Sequence, residues 1–124
     1  MLYTNLNHIE TASDYHQVIT ENRLVMIVCG RMGEFSIPVY RVLEALQTEY
    51  PQVKFFDMEF DNPEAKLVCD MFADMPEAKV PFLLFYVNAE LTYRTWGTKK
   101  KEEIEDMLKK TLNPLKGTFS NYQI

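Results

Sequence analysis

The order of hydrophobic patterns predicts an α/β fold with a mixed central sheet and helices on both faces. Two observations carry this. Apolar, β-rich runs alternate with segments of helical period, which implies parallel crossovers. Late in the chain two such runs follow one another across a short polar connection, which adds an antiparallel pair.

The elements follow in order. A short opening segment around Leu2 to Asn7 precedes the cap-rich Thr11-Ala12-Ser13-Asp14 and a helical stretch to about Asn22. Leu24-Val25-Met26-Ile27-Val28 is a continuous apolar run ending near Gly30, the pattern of a strand buried on both faces. From Glu34 to Tyr50, Phe35, Val39, Val42, Leu43, Leu46 and Tyr50 recur at helical steps, and Pro38 inside that stretch is expected to kink the helix. Val53 to Phe60 reads as a second central strand, and Asp61-Asn62-Pro63 opens a helix that ends before Pro76. Phe82 to Val87 and Leu91 to Trp96 flank Asn88-Ala89-Glu90 as a hairpin, its second strand half exposed at a sheet edge. Lys99 to Leu112 places Ile104, Met107, Leu108 and Leu112 on one face of a last helix. The predicted order is β, α, β, α, β, α, β, β, α.

Composition excludes several classes. At 124 residues the chain fits one domain that needs no disulfide or metal staples. No run approaches the roughly twenty apolar residues that cross a bilayer, and the N-terminus has no export signal, so a cytoplasmic location and no membrane partner are expected. Eighteen acidic against thirteen basic residues argue against nucleic acid as a partner. Cys29 and Cys69 form no disulfide framework and are expected as thiols.

From about Leu6 to Leu112 the residues resemble a thioredoxin-like domain, which implies a three-layer sandwich over residues 1–112 with a C-terminal tail at 113–124. Four features carry the resemblance: the buried strand leading into a long helix with Pro38; Phe56 to Pro63 with its Asp-x-x-Pro-like helix entry; Val80-Pro81-Phe82-Leu83-Leu84-Phe85; and Gly97 before a charged helix. In that family the proline matching Pro81 is cis and lies beside the redox loop.

The pattern breaks at the loop itself. Cys29-Gly30-Arg31-Met32-Gly33-Glu34-Phe35-Ser36 stands where the family has Cys-Gly-Pro-Cys, so the resolving cysteine is absent. Matching Cys29-Gly30 to Cys-Gly puts Met32 at the second cysteine. Counting back from Pro38 instead puts Gly30 and Gly33 at the two cysteine positions. Met26 stands where the family has a buried aspartate.

Two readings of Cys29 are open. A thiol near a helix N-terminus with Arg31 close by has a lowered pKa and attacks disulfides; alternatively, Cys29 is a small apolar residue ending a buried strand. Ser36 is either a substituted resolving residue or an ordinary helical serine. Cys69 reads as helix packing, His8 and His16 as surface residues without a metal, and Lys99-Lys100-Lys101 as a solvated helix entry.

Two functions therefore stand side by side. One is a monothiol thioredoxin-like oxidoreductase, with Cys29 catalytic and Gly30, Arg31, Met32, Val80 and Pro81 binding substrate. It acts on protein or peptide thiols and disulfides, or on a low-molecular-weight thiol, and calls for no cofactor. The other is a non-catalytic module that binds peptides or partner proteins in the same groove.

Overall fold

The computed structural model describes residues 2–112. The tail expected at 113–124 lies outside the described residues. The elements are β1 (Asn7–Ile9), α1 (Ala12–Glu21), β2 (Leu24–Gly30), α2 (Ile37–Glu49), β3 (Lys54–Glu59), a 3₁₀ turn (Pro63–Ala65) running into α3 (Lys66–Asp70), β4 (Phe82–Val87), β5 (Glu90–Trp96) and α4 (Lys101–Leu112). The strands form one sheet in the order β1-β3-β2-β4-β5. The pairs β1·β3 and β2·β3 are parallel, whereas β2·β4 and β4·β5 are antiparallel.

β2 is the centre of this sheet, and all seven of its residues are buried. Side chains alternate along it, so each face receives every second residue. Met26 and Val28 join Phe55, Leu83, Phe85 and the buried faces of α2 and α4 in one core layer. Val25, Ile27 and Cys29 join Met58, Leu84, Tyr86 and residues of α1 and α3 in the other. The buried Tyr15 and Tyr86 hydroxyls satisfy each other at 2.8 Å, which removes the cost of enclosing them unpaired.

Local signals set the helix ends. Thr11 caps α1 by accepting from the Asp14 amide at 2.9 Å. In α4, Glu102 and Glu103 lie in the first turn and Lys109 and Lys110 in the last, in the sense the helix dipole favours.

Pro38 departs from expectation. It does not kink a helix that starts at Glu34; α2 starts at Ile37 and holds Pro38 in its first turn. A first-turn residue has no intrahelical partner for its N–H, so proline is accommodated there without a bend. The residues before it form turns, with the Ser36 and Ile37 amides both donating to the Gly33 carbonyl at 3.1 and 2.9 Å. Phe35 therefore leaves the helical stripe and is 63% exposed.

The opening strand also differs, since it begins at Asn7 rather than spanning Leu2 to Asn7. Leu2 and Leu6 are anchored in the core layer of α2 and α4 instead. Thr4 Oγ1 donates to Asp57 Oδ2 at 2.5 Å, and His8 Nδ1 lies 2.6 Å from Asp57 Oδ1. Burial pushes the Asp57 carboxyl above its ordinary pKa, while these two contacts pull it back. His8 is thus a partner of a buried carboxyl as well as a surface residue.

The β4–β5 hairpin turns through Asn88 and Ala89, both with positive φ (51° and 67°). Two such residues match the tight turn that suits the right-handed twist of paired strands. Alanine in that conformation is strained, whereas glycine adopts it freely. Ala89→Gly is therefore expected to stabilise the chain by about 0.5 to 1 kcal/mol, read as a higher denaturant midpoint at unchanged slope. A lower midpoint would show that relief of strain does not outweigh the added freedom of the unfolded chain.

Candidate functional site

The ends of β2, β3 and the segment before β4 converge on a cavity of about 350 Å³ lined by Arg31, Phe35, Phe60, Ala78, Lys79, Val80 and Phe82. Three separated stretches supply it. Arg31 and Phe35 come from the loop between β2 and α2, Phe60 from the end of β3, and Ala78 to Phe82 from the approach to β4. The Val80–Pro81 peptide is cis, and the Pro81 carbonyl accepts from the Gly97 amide at 2.9 Å. Gly97 has a positive φ of 89°, a conformation that favours glycine.

The loop is held from several sides. Thr98 Oγ1 donates to the Phe35 carbonyl at 2.7 Å, which fixes the backbone that carries the exposed ring. Arg31 donates from Nε and Nη2 to Asp61 at 2.9 to 3.1 Å, and its guanidinium lies 4.7 Å from the Phe60 ring centre. A planar fork bound edgewise to a carboxylate and facewise to an aromatic ring leaves the side chain little freedom. Asp61 is correspondingly held below the usual carboxylate range by its hydrogen bonds from Arg31.

Gly30 marks a close approach beneath the loop. A Cβ built there would meet the Tyr40 hydroxyl at 2.6 Å and Ser36 Oγ at 2.9 Å. Tyr40 donates to the Arg31 carbonyl at 2.9 Å, so the same hydroxyl that forbids a side chain at position 30 also fastens the loop. Ser36 is buried here and bonds to Tyr40 rather than standing exposed on a helix.

Cys29 does not meet the conditions for a reactive thiol. It is the second-last residue of β2, paired with Met58 on one side and Phe82 on the other, and has no solvent exposure. Helix α2 starts eight residues later and packs on the opposite face of the sheet, so its N-terminus does not bear on the sulfur. Burial pushes the thiol well above its ordinary pKa, and the charges of Cys69, Asp61 and Asp57 push it the same way. The lowering that a loop thiol would show is thus reversed, in keeping with the reading of Cys29 as a residue ending a buried strand.

The other expected site residues separate. Arg31 and Val80 line the cavity, and Pro81 is buried next to Val80. Met32 turns the other way, packing against the core layer of α2 and α4 and accepting from the Tyr3 amide at 3.4 Å. Gly30 lies under the loop, not on the cavity wall. Phe35, Phe60, Ala78, Lys79 and Phe82 complete the wall and had no sequence signal linking them, apart from the aromatic residue in the Gly-rich loop. Both cysteines are free, Cys69 being half-buried, and no group of three potential ligands able to hold a metal occurs among the described residues. No helix among those residues is long and apolar enough to cross a membrane.

Two predictions follow from this packing. Gly30→Ala is expected to destabilise the fold by about 1 to 3 kcal/mol, since neither Tyr40 nor Ser36 can retreat without losing its bonds; a chemical denaturation curve coinciding with that of the parent protein would refute the clash. Cys29 keeps its proton in the folded chain, but the unfolded chain releases it above its ordinary pKa of 9.0. Stability from this residue is present below pH 9.0 and is lost as pH rises beyond it, so Cys29→Ala should flatten the fall between pH 9.0 and 10.0, before Tyr15 and Tyr40 contribute. Equal slopes in the two proteins over that interval would show that Cys29 is not shielded.

The chain matches no model of a known protein family and no curated protein sequence. Solved structures do resemble it. A chain from a study of the thiol-resolving mechanism of yeast mitochondrial 1-Cys peroxiredoxin via glutathione and thioredoxin systems superposes with a TM-score of 0.67 at 17% identity, covering 88% of this chain and 98% of the other. Mitochondrial thioredoxin 3 of Saccharomyces cerevisiae gives 0.65 at 14% identity over 84% of this chain and 93% of its own. Thioredoxin of Fasciola hepatica gives 0.65 at 20% identity over 84% and 97%. With its five-stranded mixed sheet between two helical layers, this chain has the thioredoxin fold.

Proposed function

We propose that this chain is a thioredoxin-fold module that binds extended peptide segments of partner proteins without exchanging disulfides. One observation carries the reading: beside an open, mostly apolar cavity, the cysteine that adjoins the loop is wholly enclosed. An aromatic-rich cavity bounded by a clamped loop offers an apolar side chain a place to bury its surface. A thiol held protonated inside a strand offers no nucleophile, because the thiolate is the attacking species. The free, unpaired cysteines fit a reducing compartment such as the cytoplasm.

A second reading, monothiol exchange through Cys29 with protein or low-molecular-weight thiols, draws support from one feature. Cys29 pairs across the sheet with Phe82, a residue of the cavity wall, and Cys69 lies near enough to influence its ionisation. Exchange by this route requires the wall to open so that the sulfur ionises.

The two are separated by paired measurements. For the binding reading, fluorescence anisotropy with labelled extended peptides is expected to show saturable binding that Phe35→Ala weakens about tenfold, in line with loss of an exposed aromatic anchor. Insulin reduction by dithiothreitol is expected to run equally with the parent protein and Cys29→Ala. A parent protein that accelerates insulin reduction, with the acceleration lost in Cys29→Ala, would establish exchange instead.

A further inference from the structure

We infer that the occupant of this cavity is an extended peptide whose apolar side chain is flanked by a carboxylate. The inference rests on the peptide-binding reading above and specifies its ligand.

The chain as a whole carries a net charge of -5, yet the residues lining the cavity include two cations, Arg31 and Lys79, and no carboxylate. Phe60, Val80, Phe82 and Ala78 make the apolar floor, with Phe35 standing exposed at its margin. Arg31 spends Nε and Nη2 on Asp61, which leaves the Nη1 edge of the fork for another acceptor. Its guanidinium lies over Phe60, and both residues line the cavity. Lys79 is exposed, and no carboxylate pairs with it among the described residues. Arg31 is itself paired with Asp61, as Arg41, Lys66, Arg94 and Lys101 are with acidic neighbours of their own. A carboxylate beside the buried side chain of the ligand would face the remaining Nη1 donors of Arg31, whose guanidinium would lose little freedom on binding it, and the exposed Lys79 ammonium. A cationic flank would meet like charge at both positions.

The test uses the full chain and three labelled octapeptides with a central leucine, flanked by glutamates, glutamines or lysines. Anisotropy titrations are run at about 0.05 M and about 0.3 M salt. The glutamate peptide is expected to bind about tenfold more tightly than the glutamine peptide at the lower salt, with the gap narrowing at the higher, and the lysine peptide to bind most weakly. Lys79→Gln and Arg31→Gln are each expected to bring the ratio of glutamate to glutamine affinity toward one. Equal affinities for the glutamate and glutamine peptides would overturn the acidic preference and leave the peptide-binding reading standing. Failure of all three peptides to bind would overturn that reading itself. Concentration-dependent self-association of the labelled protein, abolished by Phe35→Ala in the absence of peptide, would assign the cavity to a second copy and overturn both.

Discussion

Enclosure of β2 on both faces and along both edges is the constraint on which the rest of this structure depends. β3 pairs with one edge, β4 with the other, and helices cover each face. A strand so placed must be apolar throughout, because a polar side chain there would lose its water without gaining a partner. Its length then decides what becomes of Cys29. β2 runs on to Gly30, so the cysteine falls within the enclosed span and not in the loop beyond it. Strand parity assigns it to the face opposite α2, and no adjustment of the loop alone can bring it to that helix's N-terminus.

The same constraint explains what the sequence could and could not convey. The uninterrupted Leu24 to Val28 run marked a doubly buried strand, and the period of α4 and the Asn88-Ala89 connection were similarly plain. Each is a local pattern with one structural solution. The reading of Pro38 failed because the step from Phe35 to Val39 continues the helical stripe, and periodicity does not distinguish a first-turn proline from an internal one. What settles it is the turn at Gly33, whose carbonyl takes two amides and ends the loop just before Ile37. For Cys29 the sequence left two readings open for a different reason. Its neighbours in sequence, Gly30 and Arg31, suggest an accessible loop, while its neighbours in space, Met58 and Phe82, belong to strands far along the chain.

The candidate site shows this limit most clearly. Arg31 and Val80 were legible because each adjoins a motif, whereas Phe60 and Lys79 gain their meaning only from the sheet that brings three chain segments to one end. Conversely, Met32 adjoins the motif but turns into the other layer. Gly30 links the two cases: with no side chain it lets Tyr40 reach the Arg31 carbonyl, and so helps set where the arginine stands. The fold thus separates two features that the loop sequence merges, a thiol and a cavity beside the loop.

That separation also bears on how such a surface would select its ligand. At physiological ionic strength, exposed charges more than about 8 Å apart are largely screened, so the net acidity of the chain offers little long-range attraction to an acidic peptide. Arg31 and Lys79 would act only at contact, after an apolar side chain of the proposed ligand had begun to bury itself against Phe60 and Phe82. The apolar floor would then supply most of the affinity of the proposed ligand, and the rim cations would chiefly decide how long a correctly flanked one stays, an effect on dissociation more than on encounter. Asp61 reinforces this division. By taking the Nε/Nη2 edge of the Arg31 fork it lowers the cation's reach through solvent while fixing its direction, which would favour discrimination at short range over attraction at long range.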